Sequence, residues 1–142
     1  MSNPQQTAVQ AALSQYHGVA GALLPVLHHI QNQLGFIPDS AVPTIAHELN
    51  LSNAQVHGVI SFYHYFRTSA PTGKPVVEVC VAEACQARGA NQLMAACRSH
   101  PHIEVEPIYC LGQCATGPSV LINGALKARM NPAKLADCLE AL

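Results

Sequence analysis

Four cysteines of this 142-residue chain form two closely spaced pairs, Cys80-x4-Cys85 and Cys110-x3-Cys114. Each pair follows a stretch that reads as a β-strand: 75–81 (PVVEVCV) alternates in the strand manner, and 103–109 (IEVEPIY) is a second run of the same kind. Two strand ends therefore each feed a loop with two thiols. If the strands are neighbours, all four sulfurs converge at one end of a sheet. Two tetrahedral irons bridged by sulfide need two thiolates each, and two loops with two cysteines supply them. Two ferric ions, two sulfides and four thiolates leave a formal charge of about −2. Such a site needs N–H donors, which loops present. Gly89, Gly112 and Gly117 leave the backbone room to approach it.

Other chemistries use thiols differently. Structural zinc takes four cysteines, usually in tighter C-x2-C pairs. A thioredoxin-type redox site needs C-x-x-C, and a bacterial 4Fe-4S site needs C-x2-C-x2-C; neither motif is present. Spacing favours the 2Fe-2S cluster, with a zinc assembly module and a metal-free thiol enzyme remaining as alternatives. Cys97 and Cys138 occupy apolar positions of expected helices, where cysteine serves as a small hydrophobe. His28 and His29 are adjacent and point apart on a helix, whereas His57 and His64 lie seven residues apart on one expected helical face. These histidines read as solvated or interface groups rather than ligands. There is no G-x-G-x-x-G and no P-loop, so nothing here is shaped to bind NAD, flavin or a nucleotide phosphate.

The elements that must position the thiols occupy the second half. The expected order is β-α-β-β-β-α: a strand over 75–81, a helix over 89–99, a strand over 103–109, and strands over 119–122 and 125–130 around Asn123-Gly124, a strong hairpin signal. A last helix is capped by Asn131 with Pro132 at its first position. The first half has helical periodicity instead. Leu23, Leu24, Leu27, Ile30 and Leu34 share a stripe that Gly35 should stop. A short helix runs through Val42, Ile45 and Leu49, and a weaker one covers 7–16. Ser52 with Gln55 is a capping box opening a helix on which Val56, Val59, Ile60 and Tyr63 share a face. Residues 68–74, with Ser69, Pro71 and Gly73, read as a linker.

Charge is scarce: 11% of residues are charged, against about 25% in typical soluble proteins. The first seventy residues hold only Asp39, Glu48 and Arg67. A half this neutral reads as a surface that a partner covers. Phe62, Tyr63, Tyr65 and Phe66 cluster at its end and are candidates to face that partner. Without a Lys/Arg run, nucleic acid and anionic membranes are poor candidates. No apolar stretch reaches the roughly 18 residues of a membrane span, and the N-terminus has no secretory pattern. The expected location is the cytoplasm. Glu83 and Arg88, beside the cysteines, form too weak a charged patch to steer many diffusing partners, which favours a fixed subunit over a shuttle.

The second half resembles the thioredoxin-like 2Fe-2S ferredoxins, which carry C-x4-C and C-x3-C on two loops. The match extends through Cys85-Gln86-Ala87-Arg88-Gly89-Ala90 and Tyr109-Cys110-Leu111-Gly112-Gln113-Cys114. The first half, over 23–38 (LLPVLHHIQNQLGFIP) and 51–67 (LSNAQVHGVISFYHYFR), is similar to the helical extension of the small subunit that partners a flavin subunit in respiratory complex I and NAD-linked dehydrogenases. GALLPVLH, VHGVISFYH and YCLGQC resemble, within that group, the gamma subunits of cytoplasmic NAD-dependent, molybdenum-containing formate dehydrogenases. The resemblance implies an α/β (α+β) protein: an N-terminal helical bundle for partner docking over 1–70, then a thioredoxin-like domain with a mixed sheet over 75–142. It implies Cys80, Cys85, Cys110 and Cys114 as ligands of one 2Fe-2S cluster, and a cis bond before Pro118 becomes a specific possibility. The implied role is one-electron transfer beside a flavin- and NAD-binding subunit, with formate oxidised on a separate molybdenum-containing chain. An NAD-linked hydrogenase or complex I would use the same module.

Overall fold

The computed structural model describes residues 2–142. The chain divides into two compact units, one ending at Pro71 and the other beginning at Thr72. Among the described residues, no helix is long and apolar enough to cross a membrane.

The first unit is all helical: α1 (Asn3–Gln15), α2 (Leu23–Leu34), α3 (Val42–Glu48) and α4 (Asn53–Phe62), with a single 3-10 turn, Asp39–Ala41, leading into α3. Its core is one continuous cluster in which Val9, Leu27, Ile30, Ile37, Ile45 and Val56 are wholly buried. Burial of each such side chain contributes about 1.5–3 kcal/mol. The expected stripe on α2 is displaced. Val26, Leu27, Ile30 and Gln31 are buried, while Leu23, Leu24 and Leu34 only pack against the cluster's edge. A glutamine tolerates this burial because both ends of its amide are used. Gln31 Nε2 donates to the Tyr65 carbonyl at 2.6 Å, and its Oε1 accepts from the Arg67 N–H at 2.7 Å. The Arg67 carbonyl in turn accepts from the Ile37 N–H at 2.7 Å.

The Ser52 capping box is present. Ser52 Oγ accepts from the Gln55 N–H, and the Ser52 N–H donates to Gln55 Oε1. The helix that it opens is shorter than its periodicity suggests. Tyr63 is already extended at ψ 106, so α4 stops at Phe62. His64 therefore lies beyond the helix and does not share a helical face with His57. The competing interaction is the Gln31 bridge to residues 65 and 67, which holds the following segment as an arm that opens with a turn, the Phe66 N–H donating to the Tyr63 carbonyl at 3.0 Å. Phe66 is buried on this arm, while Phe62 and Tyr65 stay 72% and 56% exposed. His28 packs against both Tyr65 and Phe66, with ring centroids 5.0 and 5.1 Å away.

The second unit is α/β: β1 (Val76–Cys80), α5 (Glu83–Gln86), α6 (Ala90–Arg98), β2 (Glu104–Ile108), β3 (Val120–Ile122), β4 (Ala125–Lys127) and α7 (Pro132–Glu140). The expected order holds, with one short extra helix, α5. The four-stranded sheet runs β2-β1-β3-β4. β1 and β2 are parallel, in register Val76↔Glu104 to Cys80↔Ile108, and joined through α5 and α6. β1–β3 and β3–β4 are antiparallel, so the sheet is mixed. The Asn123-Gly124 turn has both φ angles positive, 48° and 80°, as a two-residue hairpin of this twist requires. Asn123 also accepts from the Val76 N–H through Oδ1, pinning the hairpin to β1. Asn131 caps α7 by accepting from the Lys134 N–H. Val77, Val79, Leu93, Cys97, Val120 and Leu135 form the core. Burial pushes the Cys97 thiol up to about 11, which keeps it neutral and apolar in character. Cys138 packs against the same core.

Candidate metal centre

The parallel pairing of β1 and β2 decides where the thiols go. Cys80 is the last residue of β1 and sits opposite Ile108, the last residue of β2. Cys110 follows two residues later, so both loops leave from the same edge of the sheet. The backbone continues to pair past the strand ends: the Val81 N–H donates to the Ile108 carbonyl at 2.8 Å, and the Cys80 N–H to the Ser119 carbonyl at 3.0 Å. Cys85 lies on α5, whose single turn folds it back toward Cys80. Cys80, Cys85 and Ala90 form a small buried cluster of their own, backed by Ala82, Ile108 and Leu111. Arg88 ties the two loops together, its Nη1 donating to the Ala115 carbonyl at 3.0 Å. That tether is structural, and nothing in the residues around Arg88 foretells it.

The two pairs differ in exposure. Cys80 and Cys85 are buried, while Cys110 and Cys114 face solvent. Cys110 and Cys114 Sγ are 3.7 Å apart. A tetrahedral ion with metal–sulfur bonds of about 2.3 Å sets two of its thiolates ~3.8 Å apart, so this pair is spaced to share one metal. Among the described residues, no three His, Cys, Asp or Glu side chains close around a single ion-sized point. The thiols are thus arranged as pairs rather than as one tight cage.

Hydrogen-bond donors already address the sulfurs. Burial raises the Cys80 thiol, but bonds from the Ala82 N–H, the Cys85 thiol and the Cys110 and Leu111 N–H groups outweigh it and hold Cys80 below the ordinary thiol value. These donors favour the thiolate, the form that binds metal. Cys114 is shifted the other way, chiefly by its hydrogen bond and charge repulsion with Cys110, then by burial and the charge of Cys85. Clustered thiolates repel one another, and a cation among them removes that penalty. Gly112 donates its N–H to Cys110 Sγ at 3.4 Å, at a positive φ of 72° that suits glycine. Cys110 is itself left-handed at φ 73°, a conformation uncommon for cysteine and costly enough to mark a functional loop. A Cβ on Gly117 would sit 3.0 Å from Cys85 Sγ, so the glycine leaves that sulfur its space. Buried Ser119 also approaches this sulfur, Oγ to Sγ 3.8 Å. The Gly117–Pro118 bond is cis. The donor set, its spacing and its N–H lining fit a two-iron group held by four thiolates.

Of the residues singled out in the sequence, the four cysteines, Gly112 and Gly117 come together here. The histidines do not. Ser119 carried no signal: a serine before a strand is commonplace, and only the packing places it against a cysteine.

Comparison with known proteins identifies the family. The family model for thioredoxin-like [2Fe-2S] ferredoxin matches residues 9–142. The chain is 29% identical over 130 residues to the HndA chain of the NADP-reducing hydrogenase of Solidesulfovibrio fructosivorans, covering 84% of this chain and 75% of that protein. It is 28% identical over 152 residues to one of the subunits of the NADH-quinone oxidoreductase of Escherichia coli (strain K12), covering 99% and 90%. Its fold matches a chain of the NAD+-reducing [NiFe]-hydrogenase in the air-oxidized state with a TM-score of 0.64 at 22% identity, over 83% of this chain and 22% of that one. The chain belongs to the thioredoxin-like [2Fe-2S] ferredoxin family, whose cofactor is one 2Fe-2S cluster.

Proposed function

We propose that this protein is the electron-transfer subunit of an NAD-linked oxidoreductase, with Cys80, Cys85, Cys110 and Cys114 as the thiolate ligands of its cluster. The observation that carries this reading is the meeting of two cysteine pairs at one sheet edge, one pair spaced 3.7 Å apart and the other supplied with N–H donors. The bound group would accept and return one electron. The chain's part is to hold four sulfurs, line them with N–H groups and cover one pair from water. The exposed Cys110–Cys114 side is the natural approach for a redox partner, because electron transfer needs short distance rather than substrate entry.

The first unit docks a flavin- and NAD-binding subunit in this reading. Its support is the scarcity of charge there and the exposed Phe62 and Tyr65. The parent complex is a cytoplasmic, molybdenum-containing formate dehydrogenase, supported by the segments GALLPVLH, VHGVISFYH and YCLGQC. A second reading, the same module in an NAD-linked hydrogenase or a complex I-type enzyme, draws support from the relatives in the NADP-reducing hydrogenase and the NADH-quinone oxidoreductase.

The test is anaerobic purification of the tagged chain from its native cell, with iron, zinc, sulfide, absorption and EPR measured and companion chains identified. About two irons and two sulfides per chain, with an EPR signal on dithionite reduction, are expected. Stoichiometric zinc without iron would turn the reading to an assembly module. A molybdenum-containing companion selects formate dehydrogenase, and a nickel-iron companion selects the hydrogenase.

A further inference from the structure

We infer that Ser119 is a positioning residue whose hydroxyl donates a hydrogen bond to the sulfur of Cys85 and so sets the ease with which the site accepts an electron. This rests on the reading of Cys85 as a ligand. Ser119 is wholly buried, and its Oγ lies 3.8 Å from Cys85 Sγ. Either atom can donate while Cys85 is a thiol. Once Cys85 is a metal-bound thiolate it has no proton, and the hydroxyl must be the donor. Water does not compete, because Cys85 is itself only 2% exposed.

The backbone aims the hydroxyl. The Ser119 carbonyl is engaged by the Cys80 N–H at 3.0 Å, which anchors the residue beside β1. Gly117 faces the same sulfur without a side chain, so Cys85 Sγ can settle against Ser119. Cys85 Sγ is thus bounded by a glycine and by a serine hydroxyl. Backbone N–H groups serve the sulfurs of Cys80 and Cys110; at Cys85 the hydroxyl takes that part.

The electrochemical consequence follows from charge. One electron passes from an external donor to the site, no bond forms or breaks, and no proton moves. The sulfurs carry more negative charge afterwards, so a donor to one of them stabilises the reduced form more than the oxidised form. Removing the hydroxyl should make reduction harder.

The test uses the full-length, cluster-loaded protein, titrated with dithionite in the presence of redox mediators and followed by EPR. Ser119→Ala should keep its iron and sulfide, while the reduced-to-oxidised ratio at a fixed potential falls about threefold to tenfold, equal to about 28–59 mV toward lower potential for a one-electron couple. Ser119→Thr, which keeps a hydroxyl, should recover at least half of that loss. Ser119→Gly replaces Ala if the Ala variant loses iron. An unchanged potential in Ala or Gly overturns the assignment, as does a Thr variant no better than Ala, or loss of iron from both Ala and Gly in folded protein. Wild-type protein without iron would instead overturn the ligand reading, a result separable from all of these.

Discussion

The two units bury apolar surface in different ways. The first gathers its buried residues, Phe66 among them, into one continuous core and leaves Phe62, Tyr63 and Tyr65 exposed. The second splits its buried residues in two: a conventional core between sheet and helices, and a separate cluster built on Cys80, Cys85 and Ala90 at the sheet edge. A domain gains most stability from a single core. The smaller cluster covers Cys80 and Cys85 and leaves Cys110 and Cys114 exposed. In the proposed reading, chemistry and docking fall to different units, and substitutions can be chosen to strike one and spare the other.

The largest effect is expected at the buried pair. Cys85→Ser places a hydroxyl in a buried pocket and removes one of the four proposed ligands; iron should fall below detection, and the metal-free protein should lose about 1–3 kcal/mol in urea unfolding. Cys114→Ser changes an exposed side chain, so the metal-free protein should stay within about 0.5 kcal/mol of wild type while cluster content drops and its spectrum changes. Iron content and urea midpoints measured together check both. Equal stability losses for the two variants would remove the distinction between a shielded and an open pair.

A smaller effect is expected from Gly117→Ala. The backbone here is at φ −67, which any residue adopts, so the penalty is purely steric. The new Cβ would meet Cys85 Sγ at 3.0 Å and two carbonyls at 3.7 Å. The sulfur must give by a few tenths of an ångström against packed neighbours, at a cost of about 1–3 kcal/mol. Faster loss of the visible absorption in air, with an unaltered first unit by amide exchange, is the expected result. Retention of the cluster at wild-type rates would show that Cys85 has room to spare.

The architecture that positions the site was legible because its signals are local. Alternation marked β1 and β2, Asn123-Gly124 marked the hairpin, and Asn131-Pro132 marked the start of α7; the hairpin and the helix start are each borne out by a hydrogen bond or a positive φ. The cysteine spacing pointed to two loops, but their meeting depended on β1 and β2 being parallel neighbours, a long-range fact that spacing alone leaves open. What escaped was set by tertiary contact. Gln31 is a polar residue on the leucine face of α2, and it is buried because a segment far along the chain offers it a carbonyl and an N–H. The same segment ends α4 early and takes His64 off the helix, where helical periodicity would have carried it on. Ser119 and Arg88 likewise acquire their roles only from neighbours distant in sequence.

That Gln31 bridge provides the mildest and most selective test of the division between units. Gln31→Ala would strand the Tyr65 carbonyl and the Arg67 N–H, each now bonded to the amide. Two bonds near one kcal/mol each, in a part-buried setting open to water on one side, put the loss at about 2 kcal/mol. The exposed Tyr65 and its packing against His28 depend on this arm, so the arm should loosen before the bundle unfolds, and amide exchange at residues 63–67 should accelerate first. Both groups bonded to Gln31 belong to the first unit, so the iron content and EPR spectrum of the second should be unchanged. Weaker co-purification of the flavin- and NAD-binding subunit, with the cluster intact, would separate docking from electron transfer. An altered EPR spectrum would instead mean that the first unit takes part in tuning the site, and the division between the two would have to be redrawn.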